Sequence, residues 1–355
     1  MSQRSVLIIG GGLIGTSIAL GLKQAGWAVA IEDIDPINEK LARDLLGERE
    51  IGDQFELIVI ATPPEAIASE LQRFATNNPH STFMDISGLK FELIAKVETF
   101  SDLAKRFVGS HPMAGRENSG PQSARGDLFE GRAWIVTPTS RSSSNSLEIV
   151  NELISDLGAT SYLMSSTEHD AVISRISHLP QIMSSLLAAS LVSGDSESLS
   201  LSGQGLRDVT RLAASDPRLW TELTLGNRRE NIAQLNAIQI LISELIAALQ
   251  SQRAEEVQEF FRLGNQGKKL IPGKHGAKER DYTYLPIVID DKPGQLARIF
   301  HECEVVNVNV EDLTIEHTPG QETGLITLAL SAFDAEKLQS HLNANGWLAH
   351  SPRKN

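Results

Sequence analysis

The sequence predicts a doubly wound α/β domain, then an all-α domain, then a small α+β domain. Short apolar runs alternate with helical segments over residues 1–166, and such runs are typical of strands that are buried on both faces of a parallel sheet. Over residues 167–264, glycine and proline become rare and helical spacing dominates. After a linker at 265–280, residues 281–355 follow a strand–helix–strand–strand–helix order (βαββα). We therefore predict three domains with these bounds.

Six strands are predicted in the first domain. Each is a short apolar run, and helical pattern separates it from the next, which indicates a sheet with helices on both faces. The strands are Ser5–Ile9, Ala28–Ile31, Leu57–Ala61, Thr82–Ile86, Arg106–Gly109 and Ala133–Val136. The first strand begins so early that it leaves no room for a signal peptide, which favours a cytoplasmic protein.

The second domain contains a helix that is apolar on more than one side. In the segment Asn231–Gln250, apolar residues recur at steps of three and four, and further ones lie outside that stripe. Such a helix must be buried on several sides. We expect it to pack against a second subunit in a homodimer, although burial within one helical domain is an alternative.

The third domain follows a linker with two basic clusters, several glycines and Pro272. The turn Asp291–Gly294 separates its first strand from its first helix. The predicted strands are Tyr282–Ile289, Val305–Glu316 and Gly324–Leu330, and the predicted helices are Gln295–Cys303 and Ala335–Asn345.

The composition argues against several classes of function. A formal net charge of −13 disfavours nucleic-acid binding, which needs a basic surface. No stretch approaches 18 consecutive apolar residues, so we predict no membrane span. The single cysteine, Cys303, provides neither an intramolecular disulfide nor a metal cluster. These observations favour a cytoplasmic protein that acts on small molecules and holds no metal.

A glycine-rich turn follows the first strand directly. Gly10, Gly12 and Gly15 form a G-x-G-x-x-G motif, and Leu13 and Ile14 start the next helix. In a dinucleotide-binding turn the first glycine permits the tight turn, the second admits the pyrophosphate, and the third allows close packing of helix on strand. The helix N-terminus supplies free N–H groups for the diphosphate. The motif predicts a Rossmann-type nucleotide site, and a glycine turn without nucleotide is the alternative.

An acidic pair ends the second strand, about twenty residues after the glycine turn. Glu32 and Asp33 stand where a carboxylate binds the adenosine ribose hydroxyls. Asp33 is the better candidate because Glu32 can still belong to the strand. A carboxylate there would repel a 2′-phosphate, so we expect NAD rather than NADP as the cofactor.

Five further motifs follow in a fixed order. They are Asp85–Lys90 (D-I-S-G-L-K), Gly109–Gly115 (G-S-H-P-M-A-G), Ser177–Pro180 (S-H-L-P), Leu206–Arg211 (L-R-D-V-T-R) and Ser215–Trp220 (S-D-P-R-L-W). Together with the glycine turn, and over about residues 4–270, they resemble the prephenate/arogenate dehydrogenase (TyrA) family. The resemblance implies hydride transfer from C4 of a cyclohexadienol ring to NAD, with loss of the ring carboxylate as CO₂, in tyrosine biosynthesis.

The resemblance also implies catalytic roles. His111 matches the histidine that contacts the C4 hydroxyl, and a histidine suits this task because its pKa is near neutrality. Ser87 matches a serine near that hydroxyl and the nicotinamide. His178 matches a pocket residue, with a packing or capping role at a helix start as the alternative.

Four more positions match substrate-binding residues. Arg211 matches the arginine that binds a substrate carboxylate, for which a guanidinium offers two hydrogen bonds. Asp208 would orient it, although an aspartate at a helix start is often a cap. Trp220 matches a residue lining the pocket, with a core position as the alternative, and Glu117 matches a gating or specificity acid.

Two departures from the family pattern leave the substrate open. Gly88 stands where family members commonly have serine, and Gln181 stands where many bacterial members have histidine. Prephenate is the favoured substrate and arogenate, or both, the alternative. A different reductase with a helical dimerisation domain, or an NAD- and amino-acid-sensing regulator without chemistry, are more remote alternatives.

Residues 281–350 resemble an ACT domain. The βαββα order and the entry into the first helix through Gly294, Gln295 and Leu296 carry the resemblance. It implies paired domains that bind an amino acid against exposed backbone at Gly294. Tyrosine, the end product of the pathway, is the expected effector, and a domain kept only for dimer packing is the alternative.

Overall fold

The protein is described by a computed structural model at residues 4–47, 54–115, 120–194, 196–271, 282–317 and 323–354. Residues Met1–Gln252 form one compact unit and Arg253–Asn355 a second. The first holds both the large sheet and most of the helices, and the second holds a small antiparallel sheet. The bounds of the three domains predicted from the sequence remain predictions, because the structure divides the chain only into these two units.

The first unit is built on a seven-stranded sheet with the order β2-β1-β3-β4-β5-β6-β7. The strands are β1 (Ser5–Ile9), β2 (Ala28–Glu32), β3 (Leu57–Ile60), β4 (Thr82–Asp85), β5 (Phe107–Pro112), β6 (Ala133–Pro138) and β7 (Thr160–Leu163). β1 to β5 run parallel, as predicted. β6 departs from this parallel order, because it pairs antiparallel with β5.

The reversal at β6 has a local cause. A parallel partner needs a crossover of a dozen or more residues, usually a helix, whereas an antiparallel partner does not. Apart from a 3₁₀ turn at Pro121–Ser123, the described part of the β5–β6 connection contains no helix. β7, which the sequence analysis missed, is an edge strand whose side chains are all exposed. Its residues therefore lack the apolar pattern of a buried strand.

Twelve helices are described in the first unit and cover the sheet or extend from it. They are α1 (Leu13–Gln24), α2 (Pro36–Leu46), α3 (Pro64–Asn77), α4 (Phe91–Glu98), α5 (Ser101–Arg106), α6 (Ser144–Asp156), α7 (Ser166–Ile173), α8 (Leu179–Ser190), α9 (Ser196–Ser200), α10 (Gln204–Thr210), α11 (Pro217–Gly226) and α12 (Arg228–Gln250). Two apolar clusters, one centred on Ile8, Leu22 and Trp134 and one on Ile58 and Phe83, fill the faces of the sheet.

A widened π-helical turn, Ser174–His178, joins α7 to α8 without a break. Pro180 explains the widening, because proline has no N–H to donate to the preceding turn and its ring crowds that turn. Single π turns are frequent at functional sites. The expectation that His178 stands at the start of a helix is therefore wrong, since it lies inside a longer one.

Helix α12 carries most of its apolar side chains on the surface of the unit. Ile232, Ile240, Ile246 and Leu249 are among its exposed residues. Among the described residues it is the one helix long and apolar enough to cross a membrane by length and composition alone, and little of it is buried. Exposed apolar surface on this scale indicates an interaction surface.

The second unit contains α13 (Ala254–Lys269), β8 (Thr283–Asp290), α14 (Gln295–Val305), β9 (Asp312–His317), β10 (Thr323–Leu330), α15 (Ala332–Ala344), β11 (Leu348–Ala349) and β12 (Arg353–Lys354). The sheet order is β11-β8-β10-β9, with β12 also on β8. The predicted βαββα order is present, and the last two strands were not predicted. The start of the predicted linker is helical in α13, and its remainder, from 272 on, lies outside the described residues.

Candidate active site

The glycine turn after β1 has the shape of a dinucleotide site. Gly10 has a φ of +115°, and a Cβ there would lie 2.4 Å from the carbonyl oxygen of Ala61, so only glycine fits. A Cβ at Gly15 would lie 2.0 Å from the carbonyl oxygen of Gly10, whereas nothing lies within 4 Å of one at Gly12. The turn is thus open at the position where a pyrophosphate approaches.

The positive end of α1 faces the same opening. Gly12 is the N-cap residue, Leu13 and Ile14 form the first turn, and the helix has no acidic side chain there. Its free N–H groups and dipole therefore remain available for an anion. Asp33 directly follows β2, and its Oδ2 accepts a hydrogen bond from the Gly11 N–H at 2.5 Å. This places the Asp33 carboxylate, which the sequence predicts to bind the ribose, against the turn.

His111 lies near the carboxyl end of β5, which extends to Pro112, beyond the strand end predicted at Gly109. Its Nδ1 is 3.0 Å from Nε2 of His169, and Nδ1 of His169 is 2.7 Å from Oδ1 of Asp170. His169 and Asp170 belong to α7 and are buried. The three side chains form a continuous chain, which we call the His111 relay.

The carboxylate of Asp170 is held in place from the opposite side. Its Oδ1 accepts from the Lys90 N–H at 3.1 Å and its Oδ2 from the Phe91 N–H at 3.0 Å. These are the free amides at the start of α4, where the helix dipole favours a negative charge. Both carboxylate oxygens of Asp170 thus accept backbone hydrogen bonds, and the side chain is oriented as an acceptor toward His169.

Electrostatics keep His111 neutral. Desolvation, followed by the nearby His169, Lys90 and His178, lowers its pKa well below the ordinary value of 6.5. Desolvation also lowers the pKa of His169, against the opposing hydrogen bond to Asp170. Both imidazoles are consequently uncharged near neutral pH and can act as proton acceptors.

Ser87 belongs to a buried cluster beside this relay. Its Oγ lies 2.7 Å from Asp85 Oδ2 and 2.9 Å from the Leu89 carbonyl oxygen, and it accepts from Lys90 Nζ at 3.0 Å. Lys90 and Asp85 form an ion pair at 2.7 Å with no exposed side-chain surface. In this arrangement the serine hydroxyl shapes the 85–90 loop.

That loop lies directly against His111. A Cβ at Gly88 would lie 3.5 Å from Cε1 and 3.6 Å from Nε2 of His111, and 3.4 Å from Leu223 of α11. The Nε2 edge of His111 therefore faces the loop at its least bulky residue. These are ordinary van der Waals distances, so the Cβ of a serine would fit at this position.

His178 joins the same network through two asparagines. Nδ1 of His178 is 3.2 Å from Oδ1 of Asn231, and Asn227 Nδ2 donates to the Asp170 carbonyl at 2.8 Å. Asn231 Nδ2 donates to the Thr224 carbonyl, which orients its Oδ1 toward the histidine. Trp220 meets the imidazole of His178 edge-on, with ring centroids 5.9 Å apart. The structure thus brings these two predicted pocket residues together.

Arg211 lies at the junction of α10 with a 3₁₀ turn, Arg211–Ala214, and is exposed. Gln181 of α8 donates to the Leu212 carbonyl at 2.8 Å. This hydrogen bond holds the 3₁₀ turn against α8. Asp208 lies within α10 and accepts from Gln204 at 2.7 Å, so it is not a helix cap. Glu117 lies outside the described residues.

Sequence reasoning missed His169 and Asp170, which complete the relay. Their local signal is a capping box formed by Ser165 and Glu168, which marks a helix start and carries no information about catalysis. Only the tertiary fold places them beside His111. Among the described residues, no cluster of His, Cys, Asp and Glu could hold a metal ion.

A dinucleotide turn, an acid at the end of the second strand and a neutral, oriented histidine at the carboxyl edge of the sheet define a nicotinamide-dependent dehydrogenase. Two family models match the chain: the nucleotide-binding domain of prephenate dehydrogenase at residues 18–163 and its dimerization domain at 165–263. The chain belongs to the prephenate dehydrogenase family.

Individual relatives agree with that assignment. The probable prephenate dehydrogenase NovF of Streptomyces niveus is 28% identical over 98% of this chain and 100% of its own length. Prephenate dehydrogenase of Lactococcus lactis subsp. cremoris is 27% identical over 95% and 96%. The crystal structure of the A. aeolicus enzyme with hydroxyphenyl propionate and NAD⁺ is 27% identical, with a TM-score of 0.69 over 77% of this chain and 99% of that one.

Proposed function

We propose that this protein oxidises prephenate to 4-hydroxyphenylpyruvate and CO₂ with NAD as the hydride acceptor, in tyrosine biosynthesis. The observation that carries the proposal is the His111 relay, a neutral histidine in a fixed orientation at the carboxyl edge of a dinucleotide-binding sheet. Ligands bind at this edge in open α/β folds. Relatives that match nearly the full length support prephenate as the substrate. Arogenate, or both compounds, is the alternative.

The hydrogen bonds support Nε2 of His111 as the base. Asp170 can only accept, so Nδ1 of His169 carries a proton and its Nε2 has a free lone pair. Nδ1 of His111 must then donate to His169, which leaves Nε2 of His111 unprotonated. We infer that this lone pair, on the ring edge beside Gly88, accepts the hydrogen bond of a substrate hydroxyl.

His111 would hold the substrate proton only transiently during the reaction. NAD bound at the glycine turn would accept the hydride from C4, and His111 would stabilise the positive charge that develops on C4 by drawing the hydroxyl proton. The electrons of the breaking bond to the ring carboxylate become part of the aromatic ring, and CO₂ departs. The proton then returns to the phenolic oxygen, so no net proton is released. His169 and Asp170 stabilise the transient imidazolium.

Ser87 and Lys90 support this chemistry indirectly. The buried Lys90–Asp85 pair holds the 85–90 loop against His111, and the Ser87 hydroxyl is part of that cluster. A buried ion pair of this kind is costly unless its remaining hydrogen bonds are satisfied, and Lys90 also donates to the Ser87 and Leu89 carbonyls. We infer that Ser87 turns toward the substrate hydroxyl only when ligands are bound.

Arg211 is proposed to bind a carboxylate of the substrate. We expect Arg211→Ala to raise KM for prephenate at least about tenfold and to change kcat much less, because the ion pair forms in both the ground state and the transition state. Steady-state kinetics at saturating NAD measure this. Arg218→Ala, which removes an exposed arginine from α11, is the control. An unchanged KM in folded Arg211→Ala would place the carboxylate elsewhere.

The dimer is the second part of the proposal. The exposed apolar side chains of α12 lie within the region that matches the dimerization model. We infer that a second copy of the chain covers them, which would remove the reason to place this helix in a membrane. A cytoplasmic location remains a prediction.

The C-terminal sheet is proposed to bind tyrosine. Gly294 has a φ of +89° and open space around it at the start of α14, with Gln295 and Leu296 next along the helix. We expect tyrosine to inhibit the intact enzyme and a chain ending near Lys278 to lose that response while it keeps activity. The reason is that an effector acts only by binding one conformation better than another. Equal inhibition of both proteins would place tyrosine in the active site.

Substrate choice is tested by supplying prephenate and arogenate to the purified enzyme side by side, with NADH absorbance as the readout. We expect a kcat/KM for prephenate that exceeds that for arogenate by at least about tenfold, which corresponds to about 1.4 kcal/mol. A preference for arogenate would select the alternative. An enzyme that binds NAD but oxidises neither compound would favour a sensing role.

A further inference from the structure

The start of α2 concentrates negative charge where the adenosine ribose of a dinucleotide would bind. Asp33 contacts Gly11 of the glycine turn, Asp35 is the N-cap of α2, and its Oδ1 accepts from the Ile37 N–H at 2.9 Å. Glu39 reaches back from the helix, and its Oε2 accepts from the Asp33 N–H at 3.1 Å. Carboxylates of the protein itself therefore occupy a helix N-terminus that would otherwise attract a phosphate.

The two oxygens of Glu39 have separate tasks. Oε2 holds the Asp33 backbone, whereas Oε1 pairs with Nη2 of Arg43 at 2.9 Å. The guanidinium of Arg43 also donates from Nε to the Ile31 carbonyl at 3.2 Å, along the edge of β2. Arg43 is about half exposed, so its present direction depends on these two bonds rather than on burial.

We propose that Glu39 is a second determinant of cofactor choice, acting with Asp33 in two ways. It adds a carboxylate beside the 2′ position, and it retains Arg43, a cation that could otherwise pair with a 2′-phosphate. Arginine near the end of the second strand is the residue type that accommodates this phosphate. The inference rests on the proposed preference for NAD and names Glu39 and Arg43 as residues that contribute to that preference.

The double role makes Glu39→Gln informative. A glutamine has one carbonyl oxygen, which can still accept from the Asp33 N–H, and its NH₂ group would then face Arg43, donor against donor. The substitution therefore keeps the turn while releasing the guanidinium. Removal of Asp33 alone leaves both the second carboxylate and the retained arginine, so Asp33→Ser by itself should bring only a limited gain in NADP binding.

The test is the dissociation constant of NADP and of NAD, measured by equilibrium titration in the absence of substrate. We expect wild-type protein to prefer NAD at least about tenfold and Asp33→Ser to narrow that preference. Asp33→Ser with Glu39→Gln should bind NADP at least about tenfold more tightly than Asp33→Ser alone, since each close charge contributes on this scale. A third change, Arg43→Met, should abolish that gain.

Asp44→Asn is the matched control, since it removes a carboxylate from the same helix without touching the Asp33–Glu39–Arg43 contacts. The double variant Asp33→Ser with Asp44→Asn should have the same dissociation constant for NADP as Asp33→Ser alone. Equal NADP affinity with and without Glu39→Gln, or a gain that survives Arg43→Met, would overturn the role of Glu39 and leave the NAD preference standing. If the wild-type protein bound NADP as tightly as NAD, both the role of Glu39 and the proposed preference for NAD would be overturned.

Discussion

His111→Asn should lower kcat for prephenate oxidation by roughly 10² to 10⁴, the usual contribution of a general base. Asparagine keeps a polar side chain of similar length but has no lone pair of comparable basicity to draw the hydroxyl proton. KM for prephenate should change little, because His111 acts mainly in the transition state. Steady-state kinetics with saturating NAD give both constants. A variant with nearly normal kcat would show that another group polarises the hydroxyl.

The pH dependence of the wild-type enzyme provides an independent check on His111. Its pKa is lowered, chiefly by desolvation, so the histidine stays neutral, and competent as a base, to below the ordinary value of 6.5. The acid limb of the kcat/KM profile, which reports groups of the free enzyme, should accordingly fall below pH 6.5 and disappear in His111→Asn. An acid limb above that value would indicate a base with a raised pKa.

His169→Leu should lower kcat by roughly 10- to 10³-fold, less than the loss of the base itself, because an orienting partner fixes the tautomer. Without His169, Nδ1 of His111 loses its acceptor, and the histidine is free to place its proton on Nε2. That tautomer would offer a donor to the substrate hydroxyl instead of a lone pair. The residue thus acts through His111 and is a positioning residue.

His169→Gln separates orientation from simple packing. A glutamine can accept from His111 with its oxygen and donate to Asp170 with its NH₂, so it reproduces the hydrogen-bond polarity of the neutral histidine. We expect it to recover much of the kcat lost in His169→Leu, with KM similar in both variants. Equal kcat values for the leucine and glutamine variants would contradict the proposed role of the relay in setting the tautomer.

The sequence predicts the parts of the site that depend on local chemistry. The glycine turn needs positive φ and close backbone contacts at Gly10 and Gly15, and only glycine meets them, so the motif is visible in the chain itself. Asp33 is predicted from its position at the end of the second strand, about twenty residues after the glycine turn. The strand runs of the first domain were likewise predicted within a few residues, because burial on both faces selects apolar residues.

The rest of the site depends on contacts between distant segments. His169 is 58 positions from His111 in the sequence, and their side chains are in contact only in the folded protein. No periodicity or motif predicts the contacts of His169 and Asp170 in the relay. The π turn before His178 arises from a conflict between Pro180 and the continuing helix, and the sequence alone indicated a helix start there instead. Likewise, β6 pairs antiparallel with β5, and the strand pattern does not reveal that direction.

Hydride transfer and decarboxylation are expected to occur together at one ring, and the product balance tests this most directly. Purified enzyme with prephenate and NAD should form NADH, CO₂ and 4-hydroxyphenylpyruvate in equal amounts, and His111→Asn should slow all three alike. NADH formed without CO₂ would indicate an ordinary alcohol oxidation. No NADH from prephenate, from a folded protein that binds NAD, would contradict the assignment of this site to prephenate oxidation.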